Sequence, residues 1–288
     1  MIKVYITCCW EDDLSLFETV KKNAFGKTTW KNLEFTTGPD FDRAVILNCR
    51  NARSHHITPD KAVAFRMEPP GSPGYLTECD SDIMPGFIHW PFWHKYPPEQ
   101  LKKVYEPGLI KKKKLFSTVT SDLAYMEGHM ERLIFIHHLD KSITGEFDVW
   151  GRKTFNNFFA NISSYRGELI NKYDGLIDYA YHLVVENSFI PDYFTEKIYD
   201  PILAECFCFY AGCSNIEEYI DPRAYCKIDL DDKEEAKETV VRAIRDNYRK
   251  KNLRYIKQQK QRLLTDLNPL NLIWLALNER DYLKEIKL

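Results

Sequence analysis

The chain has 288 residues, with 40 Lys and Arg against 42 Asp and Glu and a formal net charge of −2. That length allows one large or two modest domains, and the balance of charge excludes a general nucleic-acid binder. No apolar run reaches the length of a bilayer span and no leader pattern opens the chain, so a soluble, cytoplasmic protein without a membrane span is expected.

From the N-terminus, Ile2–Cys8 alternates and is β-branched, which predicts a first strand. Leu14, Phe17 and Val20 predict a helix over 12–22, and further strands are expected over 33–37, 44–48 and 61–67. Short strands alternating with helices predict a parallel sheet of Rossmann-like layout. No glycine fingerprint follows the first strand, so no nucleotide is expected in this half. Arg66 and Glu68 point the same way from a strand end, and Pro69-Pro70 stop the strand. Arg66 would there hold Glu68 ionised, the state a general base needs; a surface ion pair is the competing reading. The segment 71–98 is rich in Pro, Gly and aromatic residues (Phe87, His89, Trp90, Phe92, Trp93, His94, Tyr96). It reads as an ordered but irregular stretch, either an acceptor platform or a loop packing its own rings. The run Lys111–Lys114 marks the expected domain boundary.

A strand over 116–120, a helix over 126–139 carrying Arg132 and a strand ending at Trp150-Gly151 are expected next. The stretch VVENSFIPDYFTEKIYD, Val184–Asp200, then passes from a buried strand through Glu186-Asn187 and a Pro-containing loop into a helix capped by Thr195. Strand, loop and helix start is where α/β proteins bind phosphorylated ligands. Glu196 would hold two ribose hydroxyls, and Lys197 would lie against a diphosphate favoured by the helix N-terminus. A capped helix with a solvated Glu-Lys pair is the bland alternative. Asp200-Pro201 suggests a kink or a restarted helix with Asp200 as cap. A strand and Gly212, which allows close backbone approach, follow; then a strand over 225–230, helix from 233 through 267 broken at Asn268-Pro269, and a last helix over 270–283. The eight cysteines show no paired C-x-x-C spacing and read as small buried residues of a reducing compartment; a zinc site from Cys206, Cys208, Cys213 and Cys226 is the alternative.

The central stretch resembles the donor-binding motif of the α1,3/α1,4-fucosyltransferases, glycosyltransferase family 10: Glu186 and Asn187, then Tyr193, Thr195, Glu196 and Lys197, in matching order and spacing. The resemblance extends more weakly from about 62 to 232, and it looks like the soluble bacterial or viral members or a chain trimmed of its anchor. It implies a GT-B fold of two Rossmann-like domains facing a cleft: an acceptor-side domain over 1–110, a nucleotide-sugar domain over 111–265, and a helix over 266–288 crossing back to the first. It implies GDP-fucose as donor and a glycan or glycoprotein as acceptor, with Arg132 and Lys197 on the diphosphate, Glu196 on the ribose, and Asn187 and Tyr193 shaping the sugar pocket. Glu68 matches the proposed base, with Glu78 as the fallback. Two Asp-x-Asp sequences, Asp80-Ser81-Asp82 and Asp229-Leu230-Asp231, raise a metal-dependent alternative. Arg132, Lys197 and a helix N-terminus already supply the countercharge, so an inverting transferase without metal or other cofactor is expected. The remaining alternatives are another donor, such as UDP-xylose or another UDP-sugar, and a glycan-binding relative without turnover.

Overall fold

The computed structural model describes residues 1–77, 79–91, 95–106, 108–143, 145–154 and 156–288. Its strands are β1 (Ile2–Cys8), β2 (Thr29–Trp30), β3 (Leu33–Thr36), β4 (Arg43–Leu47), β5 (Ala62–Arg66), β6 (Asp82–Phe87), β7 (Lys114–Ser121), β8 (Phe147–Arg152), β9 (Tyr165–Gly167), β10 (Tyr179–Val185), β11 (Phe207–Ala211) and β12 (Tyr225–Lys227). Its helices are α1 (Asp13–Asn23), α2 (Pro98–Tyr105), α3 (Glu127–Asp140), α4 (Glu196–Leu203), α5 (Lys233–Arg245), α6 (Tyr248–Leu264), α7 (Pro269–Leu277) and α8 (Tyr282–Glu285). The chain divides into two compact units, Met1–Trp90 with Arg262–Lys287, and Pro91–Gln261 with Leu288.

In the first unit the strand order is β2-β3-β1-β4-β5-β6. The ladders are parallel except for the short β2, which pairs antiparallel with β3. Tyr5, Ala44, Ile46, Ala62 and Ala64 form a buried cluster on this sheet, closed by Ile57. Asp12 caps α1 by accepting from the amides of Leu14 and Ser15. The segment expected to be irregular contains β6, whose residues alternate poorly because none is fully buried. The single C-terminal helix expected from the sequence is two: after α7 the chain turns at Glu279, φ +56°, before Asp281 caps α8. One cysteine expectation is corrected here. Cys9 and Cys49, at the carboxyl ends of the paired strands β1 and β4, form a disulfide, while Cys8, Cys206, Cys208 and Cys213 are buried free thiols.

In the second unit the order is β12-β11-β10-β7-β8-β9, parallel throughout. The strand order reverses between β7 and β10, so the loops leaving these two strands diverge and open a crevice at their carboxyl ends. Phe116, Phe147, Leu183, Val185 and Phe209 from the sheet pack against Phe135, Ile136 and Leu139 of α3. The segment after Trp90 lies with this unit, and Tyr96 packs edge-on against Tyr173. The long charged helix expected over 233–267 breaks at Asn247. That residue adopts φ +54°, a conformation asparagine tolerates, and its side chain accepts from the Lys250 amide at the start of α6.

Candidate functional site

The crevice is built around one buried carboxylate. β10 ends at Val185, and Glu186 beyond it is fully buried. Its Oε1 accepts from the Thr195 amide at 2.8 Å and its Oε2 from the Thr195 hydroxyl at 2.7 Å. The Thr195 hydroxyl in turn accepts from the Lys197 amide at 3.2 Å, the N-cap expected from the sequence. Lys197 Nζ lies 3.6 Å from Glu186 Oε2 and 3.7 Å from Glu196 Oε1. Burial raises the Glu186 pKa, and Lys197 opposes the rise. The loop between them is held by Asp192, φ +61°, whose carboxylate takes hydrogen bonds from Asn215 and the Tyr219 hydroxyl. Gly212 closes the other side: a Cβ there would lie 2.5 Å from Glu186 Cγ and 2.6 Å from the Tyr210 hydroxyl. Pro201 sits inside α4, which neither stops nor restarts at Asp200; the helix is short and its far half is buried, so packing outweighs the missing amide.

Against this loop stands the first turn of α3. Its N-cap position, Met126, offers no side-chain oxygen, and the Gly128 amide donates instead to the Asn187 carbonyl at 3.2 Å. A Cβ on Gly128 would fall 1.9 Å from the Glu186 carbonyl oxygen, so only glycine lets the helix come this close. One turn on, Arg132 is 5% exposed. Its Nη1 donates to Val185 O at 3.3 Å and to Asn187 Oδ1 at 3.4 Å, and its Nε has no hydrogen-bond partner among the described residues. Burial lowers its pKa to about 10, with Glu186 and Glu196 holding it up, so the guanidinium is charged at neutral pH. His129, also on α3, is pushed down to about 4 by burial, then by Arg132 and Lys197. It adds no charge to the site.

Arg132, Lys197 and Lys172 line one small recess together with Thr118, His182 and the end of β10. Lys172 was invisible to motif reading, since nothing local ties it to α4. Gly128 did carry a signal, because a glycine in the first turn of a helix costs about 1 kcal/mol unless something presses on it. Of the other expected residues, Asn187 is half-buried beside Arg132, and Tyr193 is only 1% exposed, packed behind the loop. A cavity of about 570 Å³ beside Gly212 is lined by Phe189, Ser214, Lys227, Asp229 and Asp231. A cavity of about 800 Å³ in the first unit is lined by Asn48, Arg50, Asp80 and Asp82 among others. Both Asp-x-Asp sequences therefore border cavities, but no group of three or more His, Cys, Asp or Glu able to hold a metal occurs among the described residues.

In the first unit, Glu68 is half-buried just past β5, and its Oε2 accepts from the Ser72 hydroxyl at 3.2 Å. The expected pairing with Arg66 is not observed. Arg66 donates instead to the carbonyls of Leu76 and Met84 at 3.3 and 3.4 Å. Glu78, Phe92, Trp93 and His94 lie outside the described residues.

A family profile described as glycosyltransferase family 10 (fucosyltransferase), C-terminal part, matches residues 109–263, more than half of the chain. Among solved structures, the chain is similar to an α1,3-fucosyltransferase with GDP, at 14% identity over 90% of this chain and 90% of that one, TM-score 0.47. The same comparison gives an α1,3-fucosyltransferase with GDP-fucose, at 14% identity over 88% and 81%, TM-score 0.46. It also gives WaaG, a glycosyltransferase involved in lipopolysaccharide biosynthesis, at 11% identity over 90% and 95%, TM-score 0.47. The profile match spans β7 to the end of the basic helix α6 and so contains the whole Arg132–Glu186–Lys197 cluster. With its two parallel-sheet α/β units, the composition of a GT-B enzyme, the chain belongs to glycosyltransferase family 10 and is a glycosyltransferase of the fucosyltransferase kind.

Proposed function

We propose that the enzyme moves L-fucose from GDP-fucose to a hydroxyl of a glycan or glycoprotein acceptor, in one displacement with inversion at the anomeric carbon and without a metal. The observation that carries this reading is the set of cations around the capped start of α4: Arg132 buried with one donor unused, Lys197 beside it, and the helix amides behind. Such a set neutralises the diphosphate as it leaves, and a preorganised dry site makes each contact stronger than in water. Glu196 holds the ribose hydroxyls. Asn187, already bonded to Arg132, borders the sugar. Glu68 takes the proton from the acceptor hydroxyl as the new C–O bond forms and the anomeric C–O bond to phosphate breaks. The free thiols buried in both units support a cytoplasmic setting, against which the Cys9–Cys49 bond counts.

Titration calorimetry with GDP, UDP, ADP and CMP tests the donor. GDP-selective binding is expected, weakened about 10- to 100-fold in Lys197→Ala, in keeping with the loss of one charge-assisted contact. UDP-selective binding would transfer the reading to a UDP-sugar such as UDP-xylose, and absence of nucleotide binding would favour a glycan-binding relative. NMR of the product establishes linkage and anomeric configuration.

A further inference from the structure

Lys172 opens a 3-10 turn, Lys172–Gly175, that is locked beneath β7. The Ser117 hydroxyl donates to Gly175 O at 2.7 Å, and a Cβ on Gly175 would come within 2.5 Å of Val119 Cγ2. From this fixed base Lys172 Nζ reaches Asp200 Oδ2 at 2.8 Å and Glu196 Oε1 at 3.7 Å. Glu196 and Asp200 stand one turn apart on α4 and face the same way. Asp200 is fully buried. Burial pulls the Lys172 pKa down, but Asp200 and then Glu196 outweigh it, and the pKa is raised.

Two lysines therefore share Glu196 Oε1, and their second partners differ. Lys197 has Glu186 at 3.6 Å behind it and Lys172 has Asp200 at 2.8 Å. A lysine bonded to a buried carboxylate is costly to move, because leaving exposes an unpaired buried charge. Glu186 is just as buried but also accepts from the Thr195 amide and hydroxyl, so Lys197, at the longer distance, is the one able to turn to a phosphate. We propose that Lys172 is a positioning residue of the donor site: it holds the Glu196 carboxylate in place for the ribose hydroxyls while Lys197 engages the diphosphate. The proposal rests on the reading of Glu196 as the ribose contact.

Calorimetric titrations of the full chain with GDP, 2′-deoxy-GDP and inorganic diphosphate separate the two ideas (with the uridine pair instead, should the donor titration select UDP). Wild type should prefer GDP over 2′-deoxy-GDP by about 10-fold, the value of one hydrogen bond to a charged group. In Lys172→Met that preference should fall close to one while diphosphate binds as before, and Lys172→Arg should restore most of it. Because Lys172→Met removes a countercharge from the buried Asp200, the double variant Lys172→Met/Asp200→Asn removes both charges and guards against misfolding. A double variant that keeps the wild-type preference overturns the proposal, as does one that loses diphosphate and GDP binding in the same proportion. If wild type itself fails to distinguish the two nucleotides, the ribose reading of Glu196 is what fails, and the role of Lys172 falls with it.

Discussion

After β10 the chain turns through a loop whose central carboxylate, Glu186, is fully buried and receives an amide, a hydroxyl and an ammonium. After β5 it turns through a loop whose carboxylate, Glu68, is half-buried and receives one hydroxyl, from Ser72 at 3.2 Å. Both loops leave the carboxyl end of a parallel strand, and the difference lies in what surrounds them. The first is enclosed by a second helix pressed down through Gly128 and by a strand end thinned at Gly212. The second opens into proline- and glycine-rich chain. A group that must hold a constant part of a substrate gains from rigid second partners, whereas a group that must exchange a proton gains from access to a changing one.

The comparison breaks at its widest point if Glu68 is structural. Glu68→Gln should lower transfer by about 10²- to 10⁴-fold, the usual weight of a general base, while nucleotide affinity and thermal midpoint stay near wild type. A variant that transfers at the wild-type rate removes Glu68 from the reaction. Glu186→Gln should do the opposite. It places an amide donor where Thr195 and Lys197 need an acceptor, and breaking a buried charged network of this kind costs about 3 kcal/mol. Chemical denaturation should show that loss even without nucleotide, and an unchanged unfolding midpoint would mean Glu186 does not organise the loop.

The smallest expected effect concerns pH. His129 faces Arg132, Lys197 and Asn187, and its folded pKa, about 4, lies below the ordinary 6.5. A histidine of this sign binds protons only after unfolding, so its contribution is complete above about pH 6.5 and is lost as pH falls toward 4. His182, also depressed by burial, acts in the same direction. Between pH 7 and 5, wild type should lose roughly 1–2 kcal/mol more stability than His129→Gln. Ring NMR of His129 should show no titration near 6.5; a midpoint there would mean the first turn of α3 is open to water.

Much of the frame was legible because it follows from local pattern. β-branched alternation marked β1, helical spacing marked α1 and α3, and Thr195 announced the start of α4 by its own capping chemistry. β6 was missed because its six residues lack a buried face, and the break at Asn247 because a left-handed residue between two charged helices leaves no trace in periodicity. At the site, the motif residues Glu186, Thr195, Glu196 and Lys197 are near neighbours along the chain, and the structure gathers them into one cluster.

What the sequence by itself determined was therefore most of the elements, the capped α4 start and the family. Tertiary structure alone decided that Arg132 is buried where α3 presses in through Gly128, that a tight turn under β7 carries Lys172 to α4 and, in the first unit, that Arg66 turns to carbonyls instead of Glu68. The physical reason is one of range. Capping and periodicity act within a turn or two of chain, whereas the pairing of buried charges is set by where parallel strands diverge, and no residue in the sequence carries that information on its own.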